Sequence, residues 1–134
     1  MSKLFELFVY KKLKDIFPNK DEVVYHPTFQ SKELDFLINS PLKEVKMVVD
    51  TKYKPRYYDG SIDLEDYRQL SGYARLKSVY KTLNIDFNQT IDCMIIYPNQ
   101  ATECSEEIDL SQKIRLENYV KFYKLGIKLQ ELEK

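Results

Sequence analysis

Tryptophan is absent from these 134 residues, and only three glycines, two cysteines and one histidine are present. With so little glycine, no Walker-type loop for cradling a nucleotide phosphate can be found. Cys93 and Cys104 have neither a metal-ligand nor a redox spacing; Cys93 sits in an apolar run and reads as core, and a disulfide stays open. The lone histidine, His26, falls in a strand-like segment and reads as structural, and no Ser-His or Cys-His arrangement can be assembled around it. No apolar run approaches the roughly 20 residues that a membrane span needs. The first residues mix charge with apolar side chains and do not resemble a signal peptide, so the expected location is cytoplasmic and no membrane partner is expected. Charge of one sign is missing too: 21 basic residues balance 21 acidic ones. Any surface that meets a polyanion must therefore gather its cations locally, because phosphate contacts drive such affinity.

What is present is an ordered globular composition, rich in tyrosine and phenylalanine, of a length that fits one domain over residues 1–134. Leu4, Phe5, Phe8, Val9, Leu13 and Ile16 recur at helical spacing, with Ser2 as N-cap, Pro18 beyond the end, and Glu6 away from the centre of the stripe. A strand is expected over residues 23 to 30. A helix is expected over 64 to 83, with Asp63 at its cap, Asp66 three residues on as a near capping box, and Leu70, Tyr73, Ala74 and Leu83 on its buried face. Residues 91 to 97 form a nearly continuous apolar run that reads as an interior strand. The C-terminal part is ambiguous. Alternation fits a strand over 119 to 129, which is favoured, whereas its Glu- and Lys-rich composition also suits a helix. Helix, three-strand meander, helix and strand make a core over about residues 3–98, with residues 99–134 as an extension. The expected fold class is α/β, a mixed central sheet flanked by helices.

Two segments carry the chemistry. Leu34-Asp35-Phe36-Leu37-Ile38 and Met47-Val48-Val49-Asp50-Thr51-Lys52-Tyr53 both read as strands, and both have acid planted in them. The run between them is turn-like. A turn centred between Leu42 and Lys43 sets Phe36 opposite Val49, Ile38 opposite Met47 and Asp35 opposite Asp50. Carboxylates directly opposite one another have Cβ atoms about 5 Å apart and repel. A divalent cation between them would remove that repulsion. Lys52, two residues after Asp50, points to the same face. The competing reading is a solvated charged face with Glu33 and Lys52 as a cross-strand ion pair. Beyond the hairpin, Lys54, Arg56, Tyr57 and Tyr58 mix cations with aromatics in a loop that suits DNA backbone contact.

These residues resemble the PD-(D/E)xK nuclease superfamily, whose restriction-endonuclease-like core is ordered αβββαβ. Asp35 matches the first acid, Asp50-Thr51-Lys52 the second motif, and Gln69-Leu70-Ser71-Gly72-Tyr73 is similar to the Gln-x-x-x-Tyr motif of RecB-type nucleases. Leu34 stands where the superfamily name implies proline. The Val-Val-Asp-Thr-Lys-Tyr-Lys wording and the Leu4-Phe5-Glu6-Leu7-Phe8-Val9 helix look most like McrC-like subunits of modification-dependent restriction systems. The resemblance implies a metal-dependent DNA endonuclease, using Mg²⁺ or Mn²⁺ held by Asp35, Asp50 and the carbonyl of Thr51. It implies that Lys52 acts on the attacking water or the phosphate, that Gln69 and Tyr73 support it, and that Glu6 is a further ligand, direct or through water, or else a solvated helical residue. DNA and an NTP-driven McrB-like motor are the implied partners. A RecB-like repair or defence exonuclease, and a non-catalytic binding module on the same fold, are the alternatives.

Overall fold

In the computed structural model, which describes residues 2–29, 32–53, 63–100 and 105–129, the helical spacing of the first residues produces α1 (Ser2–Ile16). Phe5, Phe8, Val9 and Leu13 form its buried stripe. The strands are β1 (Val23–Tyr25), β2 (Thr28–Phe29), β3 (Lys32–Glu33), β4 (Phe36–Ser40), β5 (Val45–Thr51), β6 (Asp92–Pro98), β7 (Ile114–Arg115) and β8 (Phe122–Ile127). Two further helices, α2 (Leu64–Tyr73) and α3 (Lys77–Leu83), connect β5 to β6. Six strands make one mixed sheet in the order β1-β4-β5-β6-β8-β7, and β2 pairs with β3 in a separate hairpin. β1, β4 and β5 are an antiparallel meander; β6 runs parallel to β5, and β8 parallel to β6.

Alternation sorts the side chains onto two cores. Phe36, Ile38, Met47, Val49, Met94 and Ile96 pack with α1 on one face. Leu37, Val48, Cys93, Ile95 and Tyr97 pack with Leu70, Tyr73, Val79 and Leu83 of α2 and α3 on the other. Each fully buried side chain of this size contributes about 1.5–3 kcal/mol relative to exposure, so a one-residue slip of any central strand would forfeit both cores together. The hairpin register is the one the alternation requires, with Phe36 against Val49 and Ile38 against Met47. Cys93 is a free, buried core residue whose thiol burial pushes up to about 12. No helix among the described residues is long and apolar enough to cross a membrane.

Three expected elements differ in detail. The strand over 23 to 30 is interrupted because His26 takes a left-handed backbone (φ 54°) and Pro27 has no N–H to give a ladder. The helix over 64 to 83 is two helices: α2 ends at Tyr73 with Ala74 as its C-cap, and Leu76 is extended (ψ 132°) before α3 begins. Gly72 weakens that last turn by about 1 kcal/mol relative to alanine, and the break lets Val79 and Leu83 reach the sheet. The favoured C-terminal strand is present as β8, shorter than expected, and it lies inside the sheet between β6 and β7. The loop carrying Lys54, Arg56, Tyr57 and Tyr58, and Cys104, lie outside the described residues.

β8 can approach β6 closely at its C-terminal end only because residue 126 lacks a side chain. A Cβ there would lie 2.9 Å from Asn99 Cβ and 3.3 Å from Tyr97 Cζ. Overpacking of this kind costs about 1–3 kcal/mol. Gly126→Ala should therefore lower the urea midpoint by that amount of stability with an unchanged slope; a midpoint equal to the parent's would show that the pair relaxes freely.

Candidate active site

The β4–β5 register, carried one step past the first residue of β4, sets Asp35 opposite Asp50. The β1–β4 register, carried the same step past Tyr25 and Phe36, sets His26 opposite Asp35. The His26 N–H indeed donates to the Asp35 carbonyl at 2.9 Å. One row across three strands thus carries His26, Asp35 and Asp50. Asp35 lies at a bend, where its Oδ2 accepts both the backbone N–H and the hydroxyl of Thr51, each at 2.8 Å. Those two donors hold the carboxylate against β5 and offset part of its repulsion from Asp50.

Asp50 belongs to the face covered by α2. Burial, then the hydrogen-bonded Asp35 carboxyl and its charge, push its pKa up to about 8, while Lys52 opposes the shift. The two carboxyls are therefore a pair that retains a proton near neutral pH when no cation is present. Lys52 Nζ lies 3.1 Å from Asp50 Oδ2 and 3.6 Å from Asp66 Oδ1. Burial disfavours the ammonium, but Asp50, Asp66 and Asp35 outweigh it and raise its pKa. Lys52 is therefore a fixed cation at physiological pH. The cross-strand pair of Lys52 with Glu33 does not form; Glu33 instead lies 3.5 Å from His26 Nδ1.

Glu6, Asp35, Asp50, Thr51, Lys52, Gln69 and Tyr73 all line one cleft of about 360 Å³, with Glu33 and Tyr53 at its walls. Glu6 comes from the flank of α1, and Gln69 and Tyr73 from one face of α2, four residues apart. The Tyr73 hydroxyl donates to the Glu33 carbonyl at 2.5 Å. Burial first, then the charges of Asp50, Asp35 and Glu33, raise its pKa, so it stays a neutral phenol.

Two residues were not singled out for this site. Asp63 caps α2 by accepting the Glu65 N–H at 2.9 Å, but Asp66, expected near the cap, is buried and faces Lys52. His26, expected to be structural, contacts the Glu6 carboxylate through Nε2. Ligand atoms of Glu6, His26 and Asp35 all lie within 4.8 Å of one another. A signal for His26 exists only in the register of β1 against β4, which needs the strand to end at Tyr25. No local pattern around Asp66 separates a capping acid from a partner for Lys52.

The donors suit a hard divalent cation: carboxylate oxygens dominate, and one imidazole stands beside them. Without such a cation the raised pKa of Asp50 has a stability consequence. Between its ordinary value of 3.8 and about 8 the native state holds a proton that the unfolded chain has released, so stability falls as pH rises through that window. In EDTA, Asp50→Asn should melt several degrees above the parent at pH 8, and the gap should close toward pH 4. A constant gap across that range would show that Asp50 is ionised in the native protein. Compared with protein-family models, curated proteins and solved structures, the chain matches none.

Proposed function

We propose that this chain is a divalent-metal-dependent DNA endonuclease domain on a restriction-endonuclease-like core, the cleavage component of a McrBC-like restriction system that works with an NTP-driven motor. The observation that supports it best is the convergence of Asp35, Asp50 and Lys52 at the ends of two paired strands, with Thr51 between them and Gln69 and Tyr73 arriving from the next helix. The meander, crossover helices and parallel fourth strand agree with the αβββαβ order.

Asp35 and Asp50 would hold Mg²⁺ or Mn²⁺, with the Thr51 carbonyl, Glu6 and His26 as further donors on the α1 side. The bound ion would supply Lewis acidity toward the phosphate and a water of lowered pKa. Asp50 would have to be ionised to serve as a ligand. Lys52, kept charged by Asp66, orients the attacking water and offsets charge that builds on the phosphate oxygens. Asp66 is a positioning residue, since it acts through the ammonium. Tyr73, tied to the Glu33 carbonyl, walls the cleft, and Gln69 reaches its mouth to meet water or the DNA backbone. The imidazole of His26 makes the ligand set softer than an all-oxygen site, which favours Mn²⁺ over Mg²⁺.

Thermal melts should rise with added Mn²⁺ or Mg²⁺ for the parent and stay flat for Asp50→Asn, because a ligand of the native state stabilises by mass action. His26→Gln should lose more of the Mn²⁺ response than of the Mg²⁺ response. Equal metal responses in all three proteins would remove the site. Lys52→Ala should lower cleavage by about 10²-fold or more while leaving the metal-induced shift in place. Cleavage is best assayed on modified DNA together with a candidate motor subunit. A Lys52→Ala rate equal to the parent's would overturn the mechanism, and DNA bound but never cut under any metal would favour a binding module.

A further inference from the structure

On the opposite flank of α2 from the cleft lies a larger cavity of about 620 Å³, and the chemistry of its walls differs from that of the cleft. One wall is a stack that climbs out of the core. Phe122 is buried, Tyr67 lies 4.9 Å from it, and Tyr119 lies 3.9 Å from Tyr67 at an interplanar angle of 26°. The other wall is Tyr80 with Phe87 edge-on at 5.7 Å. Phe87 is 57% exposed, an unusual position for a phenylalanine with no polar handle. The Tyr80 hydroxyl donates to the Gln89 carbonyl at 2.7 Å, which ties that loop to α3. Arg75 and Lys77 stand exposed at the rim, Lys77 Nζ lying 5.7 Å from the Phe87 ring centroid. Among the described residues no carboxylate lines this cavity, in a chain whose acids and bases balance and whose cleft holds four acids.

Aromatic faces recognise flat rings, and exposed cations without neighbouring acids recognise phosphate. The amides of Asn88, Gln89 and Asn118 add donors and acceptors among them. The cavity has the size of a single small-molecule site. We infer that this pocket binds one unpaired base of single-stranded DNA, stacked on Tyr119, with its phosphate against Arg75 and Lys77. The location gives the pocket a use that rests on the nuclease reading. Tyr67, Ser71 and Ala74 face the pocket, whereas Gln69 and Tyr73 face the cleft, so only the width of one helix, about 10 Å, separates them. That is about three nucleotide steps along a strand. A base extruded from the stack could therefore be held while a phosphate about three steps along the same strand is cut, and duplexes with unpaired or easily unstacked positions would be favoured.

The test is binding by the whole chain in EDTA, read by fluorescence anisotropy of a labelled oligothymidylate of about 12 nucleotides, a usual single-strand site size. The parent should bind it more tightly than a blunt duplex of the same length. Tyr119→Ala should weaken binding roughly tenfold or more, as loss of one stacking platform does, and Tyr119→Phe should restore it. Arg75→Gln with Lys77→Gln, both at exposed positions that folding does not need, should weaken binding and reduce the salt dependence by one to two phosphate contacts. Unchanged affinity in both the Tyr119→Ala and the double glutamine variants, or a duplex bound as tightly as the single strand, overturns the pocket. Single-strand binding lost in these variants, in a protein that never cuts DNA under any metal, would support the pocket while the nuclease reading fails. Cleavage that depends on Lys52, with no single-strand preference, would do the reverse.

Discussion

Two carboxyl groups in hydrogen-bond contact are the constraint around which the site is arranged. Asp35 and Asp50 would repel if both were ionised without company, and acids are poor strand formers to begin with. The chain answers with several partial remedies. Thr51 gives Asp35 two hydrogen bonds, Lys52 gives Asp50 a charge at 3.1 Å, and the pair retains a proton up to about pH 8. The retained proton is the one remedy that serves both acids, and it is lost above about pH 8. Local conflict of this kind, inside an otherwise consistent fold, is expected at functional positions.

The sheet supplies the rigidity that keeps the conflict in place. Asp50 sits at the end of β5, next to central strand β6, with Val48 and Val49 immediately before it fully buried. The backbone that carries Asp50, Thr51 and Lys52 therefore cannot move without opening a core. Asp35 is less enclosed by regular structure, since β4 begins only at Phe36, and it is fastened by His26 on one side and Thr51 on the other. α1 and α2 approach from opposite faces and bring Glu6 and Tyr73 to the same opening. A site built from strand ends and two helices holds its donors more precisely than a site on loops would.

The register of the hairpin was legible because both of its faces are buried, so the apolar residues of β4 and β5 leave one acceptable pairing. The placement of Asp35, Asp50 and Lys52 follows from that alone. β6 was legible for a related reason, as a run apolar on both faces can only be interior. The helix break at residues 75–76 was missed although its signal lies in the phase of the stripe: on one continuous helix of 3.6 residues per turn, the buried Val79 and Leu83 would lie about half a turn away from Leu70, so the two stripes cannot belong to one straight helix. His26 was missed because its role depends on a left-handed backbone that ends β1 and turns the imidazole toward α1. Asp66 was missed because a capping acid and a buried partner for lysine look alike in sequence.

Net neutrality conceals a local separation of charge that bears on how a polyanion could engage this surface. The cleft carries Glu6, Glu33, Asp35 and Asp50 against Lys52, so a phosphate entering it meets repulsion unless a cation is already there. The far flank of α2 carries Arg75 and Lys77, and among the described residues that line its cavity there is no acid. Under the proposed reading, contact with a nucleic acid begins on that cationic flank, where no ion is needed, and reaches the cleft only once metal has neutralised the carboxylates. The ion then has two effects from one binding event, removing the repulsion between Asp35 and Asp50 and the repulsion between the cleft and its substrate. A metal-free protein would retain its hold on a strand without cutting it, and the helix that separates the two regions would set which phosphate arrives at Lys52.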